Sequence, residues 1–343
     1  MNGKSLNLKP LIQIVSDGCS LTEDQSKEAF DIIMTGNATP SQIGGFLMAM
    51  RVRGETTEEI TGAARAMREK VIKINAPSDA LDTVGTGGDA SGTFNISTAS
   101  SFVVSAAGVP IAKHGNKALS SKTGAADVLR ELGVNLDCDM SVIQKAMDEI
   151  GICFLMAPRH HMAMRHVAAS RSELGTRTIF NILGPLANPA LVKKQLVGVF
   201  SEAWVEPMAQ VLKGLGSERA WVVHGSDGLD EITTTGVTKV AALDKGSVST
   251  FTIHPEDANL GLADPKQLKG GLPGQNAMAL ANLLGGEKGP YRDIVLFNSA
   301  AAFIIAEKVD NLKEGAELAA EMIDTGQARQ KLDQLISITA HTG

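Results

Sequence analysis

The stretch DTVGTGGDASGTFNISTASS, residues 82–101, places four glycines, Gly85, Gly87, Gly88 and Gly92, within eight positions. A short β-type run, residues 81–84, leads into it, and a run rich in Ser, Thr and Ala with helical apolar spacing leads out through Val104. The order predicts a strand, a glycine-rich loop and a helix. Glycine removes the Cβ that keeps an anion off the backbone and permits positive φ, so successive N–H groups can converge on a phosphate at the positive end of the following helix. Asn95, Ser97 and Thr98 add side-chain donors at that end. No Gly-Lys-Ser/Thr closes the loop as in a Walker A sequence, and GTGGD departs from the dinucleotide pattern at its last glycine. Taken alone, the stretch is also compatible with a ligand-free βα turn.

On its N-terminal side the pattern is helical. Thr22 with Gln25 and Thr56 with Glu59 form capping boxes, Thr39, Pro40 and Gln42 start another helix, and Gly36 and Gly54 act as stops. Residues 1–74 therefore read as a small all-α unit, with NAPSD, residues 75–79, as a linker. On the C-terminal side, short apolar runs at residues 81–84, 110–113, 152–156, 195–200 and 220–224 alternate with helical stretches such as 96–107, 124–132 and 141–150. This alternation predicts right-handed βαβ crossovers and a mainly parallel sheet. Residues 161–188 break it with two helical stretches and a Gly-Pro turn, and are expected to leave the sheet and rejoin the helical unit. The expected division is 1–74 with 161–188 in one domain and 80–160 with 189–343 in a large α/β domain. Beyond residue 224, a β-type run at 249–253 and a turn-rich segment at 255–274 precede helices from residue 275 onward.

A chain of 343 residues suits two domains with a sizeable core. The net charge of −6 and the 4% aromatic content argue against nucleic-acid binding. Cys19, Cys138 and Cys153 have no C-x-x-C spacing, as expected of reduced thiols. No leader-like segment and no run of about 18 apolar residues occurs, so a cytoplasmic protein without membrane contact is expected.

A second motif, KHGNKALSS at residues 113–121, follows another expected strand. Parallel sheets bind ligands beyond the carboxyl ends of their strands, so this loop and the glycine loop are expected to flank one crevice. Lys113 and Lys117 bring charge, Asn116 an amide, and Ser120 and Ser121 hydroxyls, a set suited to an extended polyphosphate. A third, Asp230-Glu231 within HGSDGLDEITTTG, offers oxygen ligands of the kind Mg²⁺ takes between protein and phosphate, or else is solvated surface. On the segment that leaves the sheet, Arg171 lies at helical spacing from Met164, Val167 and Ala168. It is either a carboxylate clamp or an arginine draped over a core helix. His160-His161 lack a second ligand pair at zinc spacing and are not read as a metal site.

Four ordered motifs, GTGGD-x-x-x-TFNIST, KHGN-x-x-x-SS-x-x-G-x-ADVL, RTIFN-x-LGPL-x-NP and HG-x-x-GLDE, make the chain resemble the anthranilate phosphoribosyltransferases over essentially its full length. The resemblance implies transfer of the phosphoribosyl group of phosphoribosyl pyrophosphate (PRPP) to the amino group of anthranilate, in tryptophan synthesis. It also implies a homodimer, a small helical domain beside a large α/β domain of the nucleoside phosphorylase type, and Mg²⁺, two per monomer. Carried over by position, Gly85, Gly88, Asp89, Thr93, Asn95, Ile96, Ser97 and Thr98 would bind substrate. Lys113, His114, Gly115, Asn116, Lys117, Ala118, Leu119, Ser120, Ser121 and Ala125 would continue that site. Asn116 and Arg171 would face anthranilate, and Ser97, Asp230 and Glu231 would hold metal. No side chain is implied as acid or base; positioning and electrostatics carry the reaction.

The chain departs from the family pattern at Lys117-Ala118, where Arg-Ser is usual, and at Ala125, where serine is common. It also departs at Ala169-Ser170, where Pro-Val is frequent, and at Ser172, where a second basic residue is common. A nucleoside phosphorylase of the same fold and a catalytically silent binding protein are the competing expectations.

Overall fold

The computed structural model describes residues 7–340, apart from residue 90 and residues 119–122. Helices α1 (Lys9–Ser16), α2 (Glu23–Met34), α3 (Pro40–Arg53) and α4 (Thr57–Lys70) form the N-terminal bundle. Capping boxes start α2, α3 and α4 at Thr22, Thr39 and Thr56, as expected from the sequence. Each satisfies backbone N–H groups that a helix start leaves without partners.

There follow β1 (Leu81–Gly85), α5 (Ile96–Ala106), β2 (Ile111–Gly115), α6 (Ala125–Glu131), α7 (Met140–Ile150) and β3 (Ile152–Met156). The chain then leaves the sheet through α8 (Ala157–His160), α9 (Arg165–Leu174) and α10 (Phe180–Leu183). It returns with β4 (Lys194–Gly198), α11 (Val205–Gly214), β5 (Arg219–Gly225), β6 (Thr238–Asp244) and β7 (Ser247–Ile253). Helices α12 (Pro273–Leu284), α13 (Pro290–Ile305), α14 (Leu312–Asp324) and α15 (Gln327–Ala340) complete it.

The seven strands lie in the order β3-β2-β1-β4-β5-β6-β7. Pairings from β3 through β5 are parallel, and β6 and β7 add an antiparallel hairpin at the edge. Sequence reading missed β6, and saw only part of β7. The run TKVAALD has short alanines where a half-buried strand usually shows branched residues, so its strand character comes from pairing with β5 rather than from its own pattern.

Residues on neighbouring positions of one strand enter different cores because side chains alternate across a sheet. Leu196, Val223 and Val240 join the core formed with α5, α7 and α12–α15. Val197, Val222 and Ala241 join the other, which holds α11 and the bundle. Val167, Phe180, Leu183 and Leu186 lie in that second core, with the Phe180 ring edge-on to Phe30 at 5.5 Å. The segment between β3 and β4 thus buries its apolar side chains among the bundle helices. The three chain crossings between bundle and sheet are tied together: Ile72 N donates to His160 O at 3.0 Å, His160 Nδ1 donates to Ile72 O at 2.7 Å, and Ile74 N donates to Pro189 O at 3.3 Å.

Glu59 does more than close its capping box. Fully buried, it accepts from Thr56 N at 2.9 Å and from Leu21 N at 2.8 Å, and pairs with Arg53 at 2.5 Å. Removing it takes the carboxylate from the half-buried Arg53 guanidinium, which keeps the Cys19 and Gly54 carbonyls, and leaves the Leu21 and Thr56 N–H groups without their acceptor. Glu59→Ala should cost about 3–5 kcal/mol, the range for breaking a buried ion pair. Gln25→Ala, which removes an exposed cap partner, should cost no more than about 1 kcal/mol. Urea unfolding of both variants checks this contrast, and equal losses would contradict it.

Candidate active site

Chain order in the sheet reverses between β1 and β4: β1, β2 and β3 run outward one way, β4 and β5 the other. Loops diverge at such a switch point and leave a crevice at the carboxyl ends of the strands. A cleft of about 290 Å³ lies there. It is lined by Gly85, Gly88, Asp89, Thr93, Asn95, Ile96, Ser97 and Thr98 after β1, by Lys113, His114, Gly115, Asn116, Lys117, Ala118 and Ala125 around the loop after β2, and by Asp230 and Glu231 after β5. Leu119, Ser120 and Ser121 lie outside the described residues.

Backbone clearance sets this convergence. A Cβ on Gly198, the last residue of β4, would fall 1.5 Å from the Asp230 carbonyl oxygen. Only glycine lets the 230 loop lie across the strand end. The carboxylates then meet the glycine loop: Gly87 N donates to Asp230 Oδ2 at 2.7 Å, and Ser97 N, in the first turn of α5, donates to Glu231 Oε1 at 3.1 Å. The pair is therefore half-enclosed, contrary to the solvated alternative. The Gly88 backbone has φ of 74°, a conformation that side chains disfavour.

Burial, then the nearby Asp89, pushes Asp230 up to about 7; burial, then Asp230, pushes Glu231 up to about 8. Crowded carboxylates resist ionisation together, and the chemistry that relieves them is a cation. With the Ser97 hydroxyl they make an all-oxygen donor set, which fits a hard divalent ion and not zinc. Among the described residues no group of three or more His, Cys, Asp and Glu is arranged around one metal position. A cation here would complete its coordination with substrate oxygens and water.

Lys113 is 4% exposed and donates to Thr83 O at 2.6 Å, with the Ser97 hydroxyl 3.4 Å away. Its charge lies under the glycine loop as part of the cleft floor. The Thr98 hydroxyl, buried at the start of α5, has no hydrogen-bond partner among the described residues. Arg171 does not line the cleft. Its guanidinium stands 5.2 Å from the centre of the Phe180 ring and pairs with no carboxylate among the described residues, and burial lowers its pKa. Ala168, expected on the same inward face, is exposed. Phe180 is followed by Asn181, which does line the cleft.

Sequence reasoning passed over Asn181, Gly270, Gly271 and Asn276, which also line the cleft. Asn276 donates to Asn95 Oδ1 at 2.9 Å and accepts from Gly271 N at 2.7 Å, bracing the loop from α12. The signal available was the Gly-Gly pair in a turn-rich segment. Nothing local tied it to residues 180 positions earlier.

A mainly parallel sheet with anion-suited loops at its switch point, flanked by a helical bundle, is the architecture of a glycosyl transferase family. Residues 77–329 match the family described as "Glycosyl transferase family, a/b domain", and residues 9–71 match "Glycosyl transferase family, helical bundle domain". The anthranilate phosphoribosyltransferase of Paramagnetospirillum magneticum is 59% identical over 98% of this chain and 97% of its own length. The crystal structure of that enzyme from Thermus thermophilus superposes with a TM-score of 0.92 at 41% identity, covering 96% of this chain and 99% of that one. The Saccharomyces cerevisiae enzyme, in complex with PRPP and Mg, gives 0.88 at 30% identity, covering 97% and 98%. The chain belongs to the anthranilate phosphoribosyltransferase family.

The paired histidines are structural. His161 Nε2 lies 3.3 Å from His114 Nε2, both rings are buried, and burial drives His161 down to about 4 and His114 well below its usual value. A folded pKa below the unfolded one favours the neutral ring, so this stability is present above about pH 6.5 and is lost as pH falls toward about 4. For His161 alone the loss is on the order of 3 kcal/mol. Urea unfolding between pH 7 and 4 should show the decline, and His161→Gln should flatten it. An unchanged slope would mean other groups dominate acid unfolding.

Proposed function

We propose that this chain transfers the phosphoribosyl group of PRPP to the amino group of anthranilate, giving N-(5-phosphoribosyl)anthranilate and pyrophosphate, in tryptophan biosynthesis. The observation that carries the reading is the convergence of the glycine loop, the Lys113 loop and Asp230-Glu231 in one cleft. No side chain is required as a general base, because the anthranilate nitrogen is already neutral near pH 7.

Breaking the bond between C1 and the pyrophosphate oxygen builds positive charge on the ribose and negative charge on the leaving group. The start of α5, the unpartnered Thr98 hydroxyl and the Lys113 charge beneath the loop stabilise that negative charge. Mg²⁺, two per monomer, held by Asp230, Glu231 and the Ser97 hydroxyl, would supply the remaining compensation when bound. The residues on the glycine loop, with Lys113, His114, Gly115, Asn116, Lys117, Ala118 and Ala125, hold and orient PRPP. Asn116 and Arg171 orient anthranilate, the latter through its carboxylate. Lys117 and Ala118 supply one cation where the family pattern has an arginine fork and a hydroxyl, so PRPP binding leans more on the loop backbone.

Residues 1–74 with 161–188 act as one domain and close on residues 80–160 with 189–343 about the tied crossings near Ile72, His160 and Pro189. Closure moves Arg171 toward the cleft and excludes water from the reacting ribose. The enzyme works as a cytoplasmic homodimer without nucleic acid. No helix among the described residues is long and apolar enough to cross a membrane.

The direct test is the fluorescence of phosphoribosylanthranilate formed from PRPP, anthranilate and Mg²⁺, with each component omitted in turn; product formed without anthranilate or PRPP, or none from the full mixture, rejects the reading. Replacing both carboxylates, Asp230→Ala with Glu231→Ala, should abolish the response to Mg²⁺ in steady-state turnover while circular dichroism stays unchanged. Near-normal turnover at ordinary Mg²⁺ would remove the pair from the site. Arg171→Ala should cost about 2–5 kcal/mol, the range for truncating one member of a buried charge pair, expressed as a raised KM for anthranilate. An equal rise in the KM for PRPP would mark a structural arginine instead.

A further inference from the structure

Arg177 belongs to no part of the site described so far, yet it joins the two halves of the molecule. Its guanidinium donates to the carbonyl of Gly88, in the glycine loop, and lies 4.2 Å from the centre of the Phe200 ring, just beyond β4. Its own carbonyl accepts from Arg51 of α3 at 2.5 Å, and Arg51 also donates to the hydroxyl of Thr176. Phe200 is fixed in turn, since its N–H donates to Thr86 Oγ1 at 3.0 Å while Thr86 N donates to Gly198 O at 2.9 Å.

The side chain therefore spans a bundle helix on one side and the glycine loop on the other. The segment that carries it is short and exposed, and Arg51 holds it at Thr176 and Arg177. Helix α9 ends at Gly175 with φ of 57°, and Phe180, three residues beyond Arg177, is the ring on which Arg171 lies. One segment thus carries two arginines on two aromatic rings. Arg171 faces the bundle side through Phe180; Arg177 faces the sheet side through Phe200. The Gly88 carbonyl that accepts from Arg177 belongs to the same loop whose N–H groups line the cleft. The backbone of the same residue is held by Arg51 through its carbonyl, so this one residue, Arg177, links the glycine loop to the bundle.

We infer that Arg177 is a positioning residue that couples the two substrate subsites, passing the state of the glycine loop to the segment bearing Arg171. A planar guanidinium can stack and donate at once, which an ammonium on a flexible stem cannot, so lysine is not an adequate replacement. The inference rests on the proposed function for the identity of the two ligands.

The test uses the full chain and the native fluorescence of anthranilate, titrated with and without saturating Mg²⁺ and pyrophosphate as the probe of loop occupancy. In the wild type, pyrophosphate should change the anthranilate Kd by about fivefold or more, the lower range of measured site-to-site couplings. In Arg177→Ala and Arg177→Lys the ratio should fall to within about twofold, and Phe200→Leu should reproduce the effect, while pyrophosphate still binds and the thermal midpoint stays near the wild-type value. Loss of both affinities with the ratio intact is what a merely structural arginine would give, and it overturns the inference. So does loss of pyrophosphate binding alone, which would make Arg177 a direct ligand, and so does a wild type without coupling. Wild-type turnover of PRPP and anthranilate with an unaltered ratio in the variants rejects the coupling only; absence of that turnover rejects the proposed function instead.

Discussion

No side chain fits between residue 230 and the end of β4. That clearance, met by Gly198 and by Gly85 beside it, is the constraint on which the cleft depends. It lets the loop after β5 lie over the switch point of the sheet and press two carboxylates against the glycine loop. The sheet supplies the crevice through strand order, and the glycines decide how deeply the acidic loop enters it.

The electrostatics of the resulting site are those of an incomplete assembly. Asp230, Glu231 and Asp89 crowd together over a buried lysine, and the first two resist ionisation in the absence of further positive charge. Outside the cleft, Arg171 rests on an aromatic ring with no anionic partner among the described residues.

The helical bundle contributes rigidity as well as a second wall. Glu59 locks the start of α4 to the chain entering α2, and the Phe30 ring meets Phe180 below Arg171. The position of that arginine is therefore set by packing inside the bundle. Arg51 of the bundle holds the Arg177 carbonyl, and the Arg177 guanidinium in turn donates to Gly88 in the glycine loop.

Local chemistry was legible in the sequence. Ser/Thr followed by Gln or Glu gave the helix starts, because a cap is satisfied within four residues, and the change of apolar period at residue 80 marked the passage from bundle to sheet. The two loop motifs and the acidic pair were recognisable for the same reason, since phosphate-binding loops need particular residues at fixed offsets. The tertiary structure alone decided that Lys113 lies beneath the loop, that β6 is a strand, that Asn181 and Asn276 reach the cleft, and that Arg177 rather than Arg171 touches the glycine loop in this state. Each of these depends on partners far away along the chain. Sequence spacing encodes what a residue needs nearby; which distant backbone comes within hydrogen-bonding reach is set by strand order and by the clearance that glycines leave.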